Sequence, residues 1–532
     1  MINYSLFNKT PDHSYNVLNA IRYCREHGED GIVFPLGEYH FYPEMASECA
    51  LCVSNNDIYG FRRIAFLLSD MESFTVDGGG STFIFHGKIM PFYINASKNV
   101  TVRGVTLDYE NNRSLLLRVT SASDGFFECD AVNSTGYTVS NGALNICTGY
   151  GESDILNSLM IRTVGDSDDY EKGTDEEFLC MNPSLYVEDM GAGRLCIRGS
   201  TLDVKTGMHL IATGNNRPVC NIAINKSSDV TLDGITMYSS YSMGVLAQVS
   251  ENITIDKMTV KAHDGELYSL STDATHFVNC RGLVKVTNSS FSNQLDDALN
   301  IHGIFTKITH AEDDYIIVKY MHNSAKGIDI YSVDDEISVL NPRSLVGGSR
   351  YTVKNIEVIN LNYTRLYLDR PADTVTVGDV VENITKNCDL LFEGNRVMKN
   401  RARGLLVGTQ GRVEIKNNYF HTSGTSVLFE SDGEYWFESG GTTDVRICGN
   451  TFDSCCIGPV HWGSGVIETV SRKEYADGLY YHKSISITDN SFVGNDAPAL
   501  IADNIENLVF KSNNSDRELC YKINRCEKID IE

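Results

Sequence analysis

One pattern returns along most of the chain and restricts its fold more than any other feature. Apolar residues fall at offsets 0, 2 and 7, with a small, polar or Asn-containing turn between. The pattern reads Val100-Val102-Leu107, Val230-Leu232-Met237, Ile253-Ile255-Val260 and Val284-Val286-Phe291. It continues as Leu390-Phe392-Val397, Val413-Ile415-Phe420, Val445-Ile447-Phe452 and Ile485-Ile487-Phe492. Offset 5 is Asn395, Asn418, Asn450 or Asn490 in the last four. Asparagine tolerates left-handed backbone and bonds its own chain, so a tight corner is expected at that position in coil after coil. Val230 to Ile253, Leu390 to Val413 and Ile485 to Leu508 are each 23 residues apart, and other intervals stretch to 31, 32 and 40. A period near 23 with two-residue alternation inside it is one turn of a three-sided β-solenoid, with the longer intervals absorbing loops. A β-sandwich also alternates, but keeps no fixed long period.

The remaining segments fit that frame. Ser14 to His27 reads as an amphipathic helix with Val17, Ile21 and Cys24 on one face and Gly28 as its stop. It would cover the open apolar end of the solenoid. Two stretches, 112–217 and 306–385, are too long for structureless loops. They carry alternating runs such as Tyr315-Ile316-Ile317-Val318 and Arg365-Leu366-Tyr367-Leu368. The expected class is therefore all-β: a right-handed parallel β-helix with an N-terminal capping helix and two inserted β-rich, barrel-like modules. Its expected divisions are 1–111 (cap and first coils), 112–217 (insert), 218–305 (coils), 306–385 (insert) and 386–532 (last coils and cap).

Composition narrows the partners. A net charge of −25 argues against nucleic acid, anionic lipid or a polyanionic polysaccharide, and favours a neutral substrate. Forty-four glycines and only ten prolines suit a turn-rich β protein. Fifteen cysteines, scattered without a framework spacing, read mostly as reduced thiols. Cys49 and Cys52 form a CxxC with no second pair at zinc-ligand spacing, so neither metal nor other cofactor is expected. No run of about 20 apolar residues exists to span a membrane. Met1 to Ser5 shows no signal-peptide start, which predicts a cytoplasmic protein, or a secreted one whose leader is absent from this chain. An inserted module could pair two copies as a homodimer.

Chemistry concentrates in one place. In the coil beginning at Val284 the second strand is Ala298-Leu299-Asn300-Ile301-His302, with Leu299 and Ile301 inward and Asn300 and His302 outward. The matching strand of the preceding coil is Ala274-Thr275-His276-Phe277, so Asp273 stacks on Asp297, about 4.8 Å away. Asp296, one residue earlier, turns its side chain another way. Three carboxylates this close cannot all ionise, and the split between a protonated and an ionised carboxyl is what glycoside hydrolysis requires. A solvated turn or a calcium ladder would also use such residues. The register of Asp273 with Asp297 favours catalysis, since solvated turns have no reason to align. His276, Asn300 and His302 lie beside the aspartates and could hold sugar hydroxyls. Arg403 shares their column on a later coil, as salt bridge or ligand contact, and Glu430 falls near the His302 column. Trp436 and Trp462, the only tryptophans, sit in late loops where each either stacks on a sugar or is buried.

Ser271-Thr272-Asp273, Gln294-Leu295-Asp296-Asp297-Ala298 and Asn300-Ile301-His302-Gly303 resemble the motifs of two related β-helical families. One is glycoside hydrolase family 28, the polygalacturonases, with N-T-D, D-D and G-H-G. This chain departs from it in Ser271, in lacking the leading Gly of G-H-G, and in having no R-I-K for a uronate carboxylate. The other is family 110, the α-1,3-galactosidases, which it resembles over most of its length, inserted β modules included. That resemblance implies an inverting, metal-independent exo-enzyme acting on terminal α-1,3-linked galactose, as in blood-group-B-type or linear α-galactosyl glycans. Carried over, Asp273 and Asp297 would activate water and Asp296, or else Asp273, would be the general acid. A family 28-like hydrolase of another glycan, a β-helical polysaccharide lyase or epimerase, and a non-catalytic glycan-binding solenoid stand as alternatives.

Overall fold

In the computed structural model, residues 1–56, 60–111, 113–133, 136–150, 152–156, 158–164, 170–171, 177–179, 185–199, 203–214, 216–470 and 474–532 are described. Among them, two long parallel sheets wind together as a right-handed β-helix. Each coil gives two short strands, either side of a corner, to the larger sheet and one strand to the smaller. In one coil these are Arg412–Lys416, Tyr419–His421 and Val427–Phe429. The repeat stacks in the register its sequence dictates: Val230 on Val100 and Ile253, Val284 on Ile253 and Leu390, and Val413 on Leu390 and Val445. These side chains fill the interior, where Phe420, Phe452 and Phe492 stack at centroid spacings of 5.1 and 5.0 Å.

The corner asparagines work differently from the expectation. The left-handed residues are Gly394, Asn417, Gly449 and Asp489, each one position earlier. Asn395, Asn418, Asn450 and Asn490 instead form an inward amide ladder. The backbone N–H of Asn395 donates to Asn418 Oδ1 at 2.8 Å, that of Asn418 to Asn450 Oδ1 at 2.9 Å, and that of Asn450 to Asn490 Oδ1 at 3.0 Å. Each Nδ2 also donates to a main-chain carbonyl, as Asn418 does to Phe392 at 2.9 Å. A corner cannot make a regular strand ladder, and these side chains satisfy its buried backbone groups.

The capping helix spans His13–His27, opened by Asp12 accepting from the Ser14 N–H and closed by left-handed Gly28. Val17, Ala20, Ile21 and Cys24 seal the first coils. Between strands Leu115–Ser123 and His209–Thr213 the chain builds an antiparallel seven-stranded sheet beside a three-stranded one, with its own core around Leu117, Phe127 and Ile197. From Thr306–Ala311 to Val380–Asn383 it builds a closed six-stranded barrel around Ile316, Val339 and Leu366. Leu116, Met160 and Ile211 pack the first insert against Tyr268 and Leu295 of the aspartate-bearing coils. Phe305, Leu340 and Val380 pack the barrel against Phe437 and Tyr481. The fourteen described cysteines are unbonded. No helix among the described residues is long and apolar enough to cross a membrane.

Candidate active site

Strands Thr275–Val278 and Leu299–Ile304 pair with Thr275 on Leu299 and His276 on Asn300, which sets Asp273 over Asp297. The stack is tied directly: the Asp297 N–H donates to Asp273 Oδ1 at 3.2 Å and the Ala274 N–H to the Asp297 carbonyl at 2.9 Å. Strand Leu405–Val407 stacks on Leu299–Ile304 in turn and brings Arg403 into the same column. Both its backbone N–H and its Nε donate to Asp297 Oδ1 at 2.9 Å. Asp296 does not turn away. It enters the same cavity of about 710 Å³, where one oxygen from each of the three carboxylates lies within 4.8 Å of the others.

Burial and charge divide the three. Asp297 is 0% exposed and Asp273 4%, whereas the Asp296 side chain is 17% exposed. Burial, and then the Asp273 charge, push the Asp296 carboxyl up to about 6, against the pull of Arg217 and Arg403. Burial also drives Asp297 well above the carboxylate range, opposed by Arg403, and raises Asp273. The cluster therefore titrates as a unit, and burial with mutual repulsion keeps it protonated to higher pH than ordinary carboxylates. Asp297 Oδ2 is buried without a hydrogen-bond partner among the described residues. The same carboxylates are close enough to gather a divalent cation. Arg217 Nη2 also lies 3.7 Å from Asp296 and Arg403 is bonded to Asp297, so two guanidiniums already stand beside the cluster.

Most of the remaining candidates gather here. His276, Asn300, Arg403, Glu430, Trp436 and Trp462 line the cavity. Trp436 is 48% exposed and braced by His322 of the barrel, at a ring spacing of 4.8 Å. Asp432 rigidifies that loop by accepting the N–H groups of Glu434, Tyr435 and Trp436. Trp462 is half-buried with two guanidiniums over its ring, Arg401 at 4.6 Å and Arg403 at 5.4 Å, so it orients arginines. His302 is the correction. It does not line the cavity but lies behind His276, with Nε2 3.0 Å from His276 Nε2 and Nδ1 donating to the Gly303 carbonyl at 2.6 Å. Neighbouring outward side chains on adjacent coils touch each other, and the outer one hides the inner. Arg217, Asn55 and Glu438 were not foreseen. They come from the end of the first insert, an early loop and a strand outside the coil pattern, Glu438–Ser439, which pairs antiparallel to Gly303 and Ile304.

Residues 315–381 match the family model described as GLAA-B beta-barrel domain II. The chain is 29% identical to Alpha-1,3-galactosidase B of Akkermansia muciniphila over 96% of its own length. It spans 66% of that protein, just under two thirds. It is 28% identical to Alpha-1,3-galactosidase A of Shewanella woodyi, over 93% of this chain and 81% of that one. To Alpha-1,3-galactosidase B of Bacteroides thetaiotaomicron it is 28% identical, over 98% and 87%. The chain is a homologue of the α-1,3-galactosidases. Across all of this chain and 78% of the other, the Yersinia enterocolitica family 28 exopolygalacturonase structure aligns with a TM-score of 0.37 and 9% identity.

Proposed function

We propose that the protein is an exo-acting glycoside hydrolase that removes terminal α-1,3-linked galactose, from blood-group-B-type or linear α-galactosyl glycans, with inversion and without a metal. One observation carries the reading. Three carboxylates of unequal burial converge within 4.8 Å at the wall of a sugar-sized cavity, two of them held by guanidiniums. The names of the relatives supply the sugar and linkage.

Asp296, the most exposed of the three and pushed up to about 6, gives its proton to the leaving oxygen. Asp273 and Asp297, stacked as a pair, orient the attacking water and take up its proton. Arg403 fixes Asp297 in place. Trp436 and Tyr435, exposed on the braced loop, offer apolar faces to the departing sugar. The oxygen separation is shorter than the roughly 6.5–9.5 Å between carboxyl groups usual for inverting pairs. We favour inversion because a retaining enzyme needs a carboxylate free to attack carbon. Asp297 is tied to Arg403 and Asp273 to the Asp297 N–H and His276 Nδ1, so both are held in place to receive a proton from water rather than to move onto carbon.

The test is incubation with terminal α-galactosides that differ in linkage and fucosylation, following released sugar by proton NMR. Release from α-1,3-linked substrates with β-galactose formed first supports the proposal. No galactose from any α-1,3-linked substrate rejects the activity, and α-galactose formed first rejects inversion.

A further inference from the structure

Behind the aspartates runs a line of contacts that the reaction as drawn above does not use. Asp273 Oδ2 lies 2.6 Å from His276 Nδ1, His276 Nε2 lies 3.0 Å from His302 Nε2, and His302 Nδ1 lies 2.6 Å from the Gly303 carbonyl. Glu438 Oε1 stands 3.5 Å from His302 Nε2. A carbonyl only accepts, so His302 Nδ1 carries a proton. If both rings were neutral and His276 donated to an ionised Asp273, two bare nitrogens would face each other at 3.0 Å. The line therefore holds one more proton than that state.

The extra proton has three places to sit. On His276 it is disfavoured, because burial first and His302 second depress that imidazole to about 3. On Asp273, where burial favours it, the acid would donate to His276 Nδ1 and His276 would donate through Nε2 to His302. A protonated Nε2 could then accept nothing from Asn55 Nδ2, a donor 2.9 Å away. On His302, the imidazolium faces Glu438, and the one lone pair of His276 Nε2 is left bare between the donors of His302 and Asn55. The other charges around the line are Arg217 and Arg403 beside Asp273, Asp296 beside His276, and His322 beside Glu438.

We infer that Asp273, His276 and His302 share one extra proton, and that Glu438 draws it to His302 and leaves Asp273 ionised. Moving between the end states transfers one proton across each of two hydrogen bonds and changes no net charge. Glu438 acts through His302, so it is a positioning residue. The effect on Asp296 follows at once, since the Asp273 charge helps to keep the Asp296 proton in place. One distant carboxylate thus sets the base and the acid together, a point that rests on the proposed hydrolase reading.

Two measurements on the full chain test this. In protein labelled with ¹⁵N-histidine at neutral pH, the His302 signals, assigned by their loss in His302→Gln, should show both ring nitrogens protonated. In Glu438→Gln one of those protons should be gone. A neutral His302 in the wild type, or an imidazolium unchanged in the variant, overturns the inference whether or not the protein is a galactosidase. With an α-1,3-linked galactoside whose leaving group needs protonation, the bell-shaped profile of kcat against pH should narrow from both sides in Glu438→Gln, by about one pH unit in total. Glu438→Asp should restore part of the width. A uniform loss across all pH values, the result of a merely structural role, also overturns it. Absence of activity in the wild type would instead reject the hydrolase reading, with the ring-nitrogen result still deciding where the proton sits.

Discussion

Asp296 is the residue whose surroundings bear most directly on the proposed acid role. It is the most open of three converging acids, and its carboxyl lies up at about 6 because it is buried beside Asp273. As an acid it works only while protonated, so kcat on a natural glycan should fall as pH rises through about 6. Asp296→Asn should lower that rate by about 10²–10⁴-fold. A substrate with a dinitrophenolate leaving group, which needs no proton, should recover much of the loss and show no descending limb. Asp297→Asn should not be rescued in this way. Equal rescue of the two variants would place the acid elsewhere. Asp273, Asp297, His276 and Asn300 were legible as neighbours, because a parallel stack repeats its side-chain direction from coil to coil, whereas the turn of Asp296 into the same cavity was not. The part played by His302 was not, since alternation gives direction but not which outward side chain covers another.

At the scale of the element, the corner asparagines separate two physical explanations. Left-handed backbone belongs to Asn417, whereas Asn418 carries amide contacts on both of its faces. Asn418→Ala would strand the buried Asn395 N–H and the Phe392 carbonyl, each costing about 1–3 kcal/mol. Denaturant unfolding should show a loss of about 2–6 kcal/mol for Asn418→Ala. Asn417→Gly keeps the required dihedral and should stay within about 1 kcal/mol of the parent. The reverse order would restore the left-handed reading of offset 5. The repeat itself, its 23-residue interval and the helix cap were readable because they follow from burying one face per strand. The job of the asparagine was not, because its partners lie one coil away.

Across the whole molecule, the barrel and the coils meet over buried groups that bear on stability. Glu382, on barrel strand Val380–Asn383, accepts from Gln410 Nε2 of the coils at 2.9 Å and is pushed by burial from 4.5 up to about 7. Its folded value exceeds the unfolded one, so its contribution is fully present below about 4.5 and is lost as pH rises through about 7. That loss is on the order of 3 kcal/mol. Glu382→Gln, which cannot ionise, should flatten the fall in melting temperature between pH 5 and 8. An unchanged slope would show that the junction does not sense this group.

The amino-acid order alone determined the winding: periodic apolar residues can be buried only if coils stack in one register, and that register places Asp273 on Asp297. Tertiary structure decided which side chains come to that stack from outside it. Arg217 arrives at the end of an insert, Trp436 on a loop braced by the barrel, and Glu438 on an antiparallel strand. None of the three follows the repeat. Their positions depend on the paths of loops and inserts, which are settled by packing between modules and leave no period to read.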